Sequence, residues 1–395
     1  MDKHSTSKHI FVFIILILEM KRAHILLILK EPFLDRIPSL KTLTWSLLNR
    51  GYKITLITSE TDKFTLLSFK HENLRIMKVS QRSKRLELPT TIKLLLKTFS
   101  FVIFHKVDFI IGGDAIGNVI ASKVAKLLNR KHIFFVLEYP QIITNKVLAL
   151  TRLQRLENKA LEKADIIITH DKWHKQFLLS QFNLKSDNIL LLPNASFTPE
   201  VTTKSDFLQC RLNIQGQKIV LHSGGFGRWF KCKELAQSTV NWSENIKLVF
   251  HMSHKLNGDS YFESVYNSDY HGRVLFSLDS VSTYELDSLV SSADIGIALY
   301  SEVELDYRAT YMGLAAGKIG NYLKCGVPVI ATRLPSLAYI EEYNCGILID
   351  KESDIADAIN QILSNRDMFS KNAHRCYREL WYPESYLYKI EEALS

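Results

Sequence analysis

The chain has 395 residues, 46% of them hydrophobic and 23% charged, with a formal net charge of +9. These values exclude a disordered chain, a collagen-like fibre and a small disulfide-stapled scaffold, and the length suits two to three domains. The basic excess suits an anionic partner (nucleotide phosphate, nucleic acid or an acidic membrane surface) without choosing among them.

Residues 10–18 form a continuous apolar run that stops at Glu19. A spanning helix needs about 20 such residues, and no small-residue cleavage site follows. Met20-Lys21-Arg22 then reads as a fresh start, so residues 1–19 are expected to be an upstream extension; a short membrane-touching segment is the rival. From there, strand-like runs at 23–29, 53–58, 74–79, 107–111, 132–137, 165–169 and 189–192 alternate with helix-like runs near 39–50, 91–105, 117–129, 150–163 and 171–182. Apolar strands separated by amphipathic helices predict β-α-β units on a buried parallel sheet.

Between 82 and 106, Lys84, Arg85, Lys93, Lys97 and Lys106 lie among the apolar stretches 92–96 and 99–104. Such a helix either packs with its lysines in water or lies on an anionic bilayer. The polar stretch 193–217 shows no sustained period and reads as a linker. Strands are then expected at 218–222, 246–251, 273–276, 294–299, 327–331 and 346–349, with helices near 231–241, 282–290, 318–324, 335–342, 352–364 and 368–380 and a last helix to 395. The expected fold class is therefore α/β, two doubly wound Rossmann-like domains. They span 20–196 and 217–380, with a linker at 197–216 and a terminal segment at 381–395.

Ligands of open parallel sheets bind beyond the carboxyl ends of the strands. The strongest such loop is Ser223-Gly224-Gly225-Phe226-Gly227-Arg228-Trp229-Phe230-Lys231. Glycines let backbone N–H groups approach an anion, and Arg228 and Lys231 add positive charge suited to a diphosphate. Lys318, after Gly317, falls in the first turn of a helix, where a lysine opposes the macrodipole. A cation placed there points to an anionic partner, and Asn321 reaches the same side one turn later. Five scattered cysteines, at 210, 232, 325, 345 and 376, hold no C-x-x-C pair. They read as reduced thiols of a cytosolic protein. No Asp-x-Asp metal motif, dinucleotide fingerprint, recognition helix or zinc pattern is found, so neither a metal site nor nucleic-acid binding is expected.

The run Gly317-Lys318-Ile319-Gly320-Asn321-Tyr322-Leu323-Lys324-Cys325-Gly326-Val327-Pro328-Val329-Ile330 resembles the signature of GT-B glycosyltransferases of the family 4 type. Those typically read Asn-Lys-(Leu or Ile)-x-Glu-Tyr-x-x-x-Gly-x-Pro-Val. The runs 292–299 and 157–171, Leu192-Pro193-Asn194 and Trp381-Tyr382 agree in order, so the resemblance covers nearly the whole chain from Met20.

The resemblance implies two domains facing a cleft. The first (20–196) would bind the acceptor, the second (217–380) the nucleotide sugar, and the terminal helix would cross back to the first. Sugar would pass from a nucleoside diphosphate to an acceptor hydroxyl, with retention and without a metal. The context implied is bacterial polysaccharide or glycolipid assembly, in the cytoplasm or on the inner face of the plasma membrane. The acceptor would be a saccharide or a lipid-linked saccharide, and no cofactor is implied, since the nucleotide sugar is a substrate.

Ser223, Gly224, Gly225, Gly227, Lys318, Ile319, Asn321 and Tyr322 would bind the donor; Lys231, Arg228 and Glu138 are the catalytic candidates. The sequence departs from the pattern in three places. Phe226 stands where the family has Arg, Asn321 where it has the ribose-binding Glu, and Gly313 where it has a sugar-contacting Glu. Glu302, Glu304 or Asp306 are the expected stand-ins for the last. The alternatives to transfer are a non-catalytic partner of another transferase and a nucleotide-sugar 2-epimerase.

Overall fold

The computed structural model describes residues 23–394 except 33, 61–69 and 81–88. The apolar run 10–18, the start at Met20 and the cations Arg82, Lys84 and Arg85 lie outside the described residues.

By its internal contacts the chain divides into two units: 1–168 with 182–190 and 390–395, and 169–181 with 191–389. The first carries a seven-stranded sheet of order β3-β2-β1-β4-β5-β6-β7. Its strands are β1 (His24–Ile28), β2 (Lys53–Ser59), β3 (Leu74–Val79), β4 (Phe109–Gly112), β5 (Lys131–Phe135), β6 (Ile166–Thr169) and β7 (Ile189–Leu191). Pairings from β3 through to β6 are parallel, with Ile25 opposite Ile54 on one side of β1 and Phe109 on the other. Every residue of β4 and β6 is buried, as a sheet covered on both faces demands.

After β4 the chain turns at Asp114, which caps the helix Ala115–Leu128 by accepting the Gly117 N–H at 2.7 Å. The same carboxylate accepts the Lys30 and Glu31 amides at the end of β1. The Gly112-Gly113-Asp114 turn is thus a clasp between two strand ends.

The helix Thr90–Phe104 buries Leu94, Thr98, Phe101 and Val102 but leaves Leu96, Ile103 and Phe104 exposed, Phe104 at 80%. Its exposed surface is therefore apolar as well as basic. Among the described residues no helix is long and apolar enough to cross a membrane.

The second unit carries a six-stranded sheet of order β10-β9-β8-β11-β12-β13. The strands are β8 (Lys218–Ser223), β9 (Ile246–His251), β10 (Val274–Ser277), β11 (Ile295–Ala298), β12 (Val329–Thr332) and β13 (Gly346–Ile349), all paired in parallel. The order reverses between β8 and β11, a topological switch point that leaves a crevice between the loops leaving these two strands.

The stretch read as a structureless linker contains the helix Phe207–Leu212, whose Leu208 is fully buried in the core of the second unit. The helices Ser260–Tyr266, Glu302–Leu305 and Tyr307–Thr310 were not foreseen either. Trp381 ends a π-helical turn, Tyr377–Trp381, and is completely buried against Gly320.

Two ion pairs fasten this unit internally. Lys324, 1% exposed, donates to the Asp287 carboxylate and to Thr198 Oγ1 at 2.8 Å. Asp294, equally buried, accepts the Ile219 amide at 3.0 Å and is ringed by Lys204, Lys218 and Arg366. Removing one member of a buried pair leaves an uncompensated charge. We expect Asp287→Ala to lower unfolding free energy by about 3–5 kcal/mol, measured by urea denaturation. Adding Lys324→Met should return most of that loss.

Candidate functional site

The site is built on the loop at the end of β8. Gly224 has φ +108°, a conformation that L side chains rarely adopt, and its N–H donates to His251 O at 3.0 Å. Gly225 and Gly227 lie under aromatic rings: a Cβ would sit 2.5 Å from a Phe230 carbon and 2.8 Å from a Trp229 carbon. Gly224 and Gly225 are exposed, so their backbone is open to a ligand.

Lys318 meets this loop from the first turn of the helix Gly317–Lys324, as its sequence position predicts. Its Nζ lies 3.8 Å from the Phe230 ring centroid and 3.3 Å from His222 Nε2. A Cβ on Gly224 would stand 4.0 Å from Lys318 Cε. Among the described residues no carboxylate pairs with it. Burial lowers its pKa to about 8, with Cys232 opposing.

His222, fully buried, stays neutral: desolvation and then the charge of Lys318 push its pKa well below 6.5, against the bond to Gly225. Its Nε2 lies 2.8 Å from Gly225 O, the geometry of an N–H donating to that carbonyl and fixing the turn.

Tyr322 holds the two halves of the site together. Its hydroxyl donates to Leu221 O at 2.9 Å and accepts the Ser223 N–H at 2.8 Å. Its ring packs on Gly296 of β11, where a Cβ would sit 2.4 Å away. Tyr322 thereby ties the end of β8, the switch-point strand and the helix bearing Lys318 into one body. Ile319 and Tyr322, expected to bind the donor, are both completely buried. Asn321 is half-buried on the same helix.

Lys231 sits at φ +50° just after the loop, and its Nζ pairs with Glu352 at 2.6 Å. That carboxylate had no place in the sequence reading. Arg228 is exposed, its guanidinium carbon 5.1 Å above the Tyr261 ring. Phe226 is a core residue, its ring 5.0 Å from Phe250 and 5.3 Å from Phe262, which explains why no arginine stands there. The helix after the loop begins at Cys232 and has only seven residues. Glu138 belongs to the first unit and is exposed, between the half-buried Leu137 and Tyr139 after β5.

Gly313 lies against a carboxylate from another segment. It has φ +43°, and a Cβ there would lie 1.8 Å from Asp171 Oδ2. The carboxylate beside position 313 is Asp171. Asp171 accepts the Leu314 amide, the His174 amide at 2.8 Å and the His174 ring at 3.0 Å. Burial raises its pKa, but the bonds and charge of His174 and the Leu314 amide outweigh this and hold it below 3.8. No local signal in the sequence links Asp171 to Gly313, since the contact is tertiary.

Any side chain at 313 must displace this carboxylate. Gly313→Ala is expected to cost about 1–3 kcal/mol, read from thermal or urea unfolding. The same substitution should cost less in an Asp171→Gly background.

No protein-family model matches the chain, and no curated protein does. Solved structures do match. Sucrose-phosphate synthase from Thermosynechococcus elongatus superposes with a TM-score of 0.71 at 16% identity, covering 94% of this chain and 98% of that one. Anabaena HepE in complex with UDP-glucose gives 0.69 at 13% identity, covering 94% and 99%. A putative UDP-N-acetylglucosamine 2-epimerase from Listeria monocytogenes gives 0.61 at 12%, covering 94% and 96%. The chain shares the GT-B fold of two Rossmann-like domains with these proteins.

Proposed function

We propose that the chain is a GT-B glycosyltransferase (a hexosyltransferase of EC 2.4 type, family 4-like) that moves a sugar from a nucleoside diphosphate to an acceptor hydroxyl. The observation that carries this reading is Lys318: a desolvated ammonium with no carboxylate partner among the described residues, against the exposed Gly224-Gly225 turn at the switch point. A cation held this way is poised for an anion, and backbone amides with one ammonium suit a diphosphate. The UDP-glucose bound by HepE, which shares the fold, agrees with such a donor.

In the reaction the bond from the anomeric carbon to the phosphate oxygen breaks, and a bond to the acceptor oxygen forms. The acceptor proton passes to the leaving diphosphate on the same face, so configuration is retained. Negative charge grows on the diphosphate, and Lys318, Arg228 and the loop amides stabilise it most in the transition state. Lys231 joins them when its pair with Glu352 opens. Positive groups take the role a metal has elsewhere, and no cofactor is needed.

Glu138 is the proposed polar group on the acceptor side. The exposed Leu96, Ile103 and Phe104 beside Lys93, Lys97 and Lys106 support a saccharide acceptor carried on a lipid. That face suits the anionic inner surface of a bacterial plasma membrane, in polysaccharide or glycolipid assembly.

A thermal-shift panel of UDP, GDP, CDP and dTDP with their sugars tests the donor class. One nucleotide should raise the melting temperature, and Lys318→Ala should abolish that shift with the fold intact. Acceptor-dependent release of nucleoside diphosphate is expected; conversion of the donor to an epimer without release would overturn transfer.

The pH dependence has a defined sign. Lys318 is protonated below about 8, and the diphosphate binds that form. Affinity should hold level below that pH and fall above it. Lys318→Arg, whose guanidinium stays charged, should keep the level portion to higher pH.

A further inference from the structure

His222 is completely buried at the end of β8, with the rings of Phe230 and Phe250 centred 5.7 and 5.5 Å from its own. Its Nε2 has three polar neighbours: Gly225 O at 2.8 Å, Lys318 Nζ at 3.3 Å and Cys232 Sγ at 4.0 Å. Its Nδ1 is buried and has no hydrogen-bond partner among the described residues.

The first two neighbours make opposite demands on one nitrogen. Gly225 O accepts, so it needs a proton on Nε2. The Lys318 ammonium donates, so it needs a lone pair there. A proton on Nε2 closes the shorter contact and leaves only a lone pair unanswered at Nδ1. A proton on Nδ1 would be a buried donor with nothing to receive it, and Gly225 O would lose its bond. The Nε2–H tautomer is the better satisfied of the two.

That tautomer turns a donor toward Lys318. The ammonium then meets the face of the Phe230 ring, 3.8 Å from its Nζ. The Cys232 thiol beside it stays uncharged, since burial pushes its pKa up to about 12. Among the described residues no carboxylate pairs with Lys318, and His222 Nε2 is its one hydrogen-bond neighbour.

We propose that His222 is a positioning residue for this site: its Nε2–H, bonded to Gly225 O, fixes the glycine turn and denies Lys318 an acceptor, so the ammonium completes its hydrogen bonds only on an anion lying along the turn. The proposal rests on the donor reading and says how the protein keeps that lysine available. A carboxylate at 222 would neutralise the lysine, and a carboxamide would offer it a carbonyl. An apolar ring would leave the turn unfastened.

Inorganic pyrophosphate, a bare diphosphate, is the probe, titrated into the full chain by calorimetry over a range of pH. His222→Phe keeps a ring but loses the N–H. It should weaken binding about tenfold, the worth of one hydrogen bond, and leave the fall at high pH where it was. His222→Gln offers an N–H to Gly225 O and a carbonyl to Lys318. It should bind more tightly than His222→Phe. A hydrogen bond to the charged form raises a pKa, so its fall should begin at higher pH than in the parent. A merely structural histidine would change affinity or melting temperature without moving that fall.

Nitrogen-15 NMR of the free parent chain, with the His222 signal assigned by its loss in His222→Gln, should place the proton on Nε2 on both sides of the Lys318 transition. A proton on Nδ1 overturns the proposal, as does an unmoved fall in His222→Gln or undiminished binding in His222→Phe. A parent chain that binds neither pyrophosphate nor any nucleotide removes the donor reading. Carbon-13 titration of Lys318 Cε, which needs no ligand, then decides the role of His222. A pKa higher in His222→Gln than in the parent supports it, and an equal pKa overturns it.

Discussion

A parallel sheet buried on both faces must return every strand in the same direction, so all its outgoing loops collect at one edge. In the second unit this constraint decides where chemistry can occur. The order β10-β9-β8-β11-β12-β13 reverses between β8 and β11, and the loops leaving those strands diverge there. The Gly224 N–H still bonds His251 O of β9, the turn leaves Gly224 and Gly225 exposed, and the helix Gly317–Lys324 brings an ammonium to the same turn. Tyr322 holds this geometry by bonding both the donor and the acceptor side of the β8 terminus.

Charges in this unit fall into two kinds. Lys324 and Asp294 are buried and fully answered, the first by Asp287 and Thr198, the second by three cations and a backbone amide. Their surroundings are those of structural ions. Lys318 has an aromatic face and a neutral imidazole instead of a carboxylate. That asymmetry sets Lys318 apart from Lys324 more sharply than burial does. Lys231 stands between them, with Glu352 as a partner on a partly exposed pair that solvent weakens.

The departures from the glycosyltransferase pattern acquire physical reasons. Phe226 belongs to an aromatic core with Phe250 and Phe262, where an arginine would be buried without a partner. Gly313 is glycine because the Asp171 carboxylate fills the space beside it. A carboxylate is thus present at that place, supplied from a distant part of the chain and held ionised by His174 and the Leu314 amide.

The sequence alone determined the alternation of strands and helices, because strand-length runs rich in apolar and β-branched residues are visible locally: 74–79, 246–251 and 346–349 were read with the observed boundaries. It also marked Gly224, Gly225 and Lys318, since glycines after a strand and a lysine in a first helical turn are anomalies visible locally. The helices Phe207–Leu212 and Ser260–Tyr266 escaped it. Neither runs two full turns, so no period could show, and each depends on burying Leu208, Phe262 and Val265 in the surrounding core. Only the tertiary structure decided that Tyr322 and Ile319 are buried, that Glu352 answers Lys231, and that Asp171 stands beside Gly313. Those facts are contacts between segments far apart in the chain, and local spacing holds no information about them until the sheets and helices have packed.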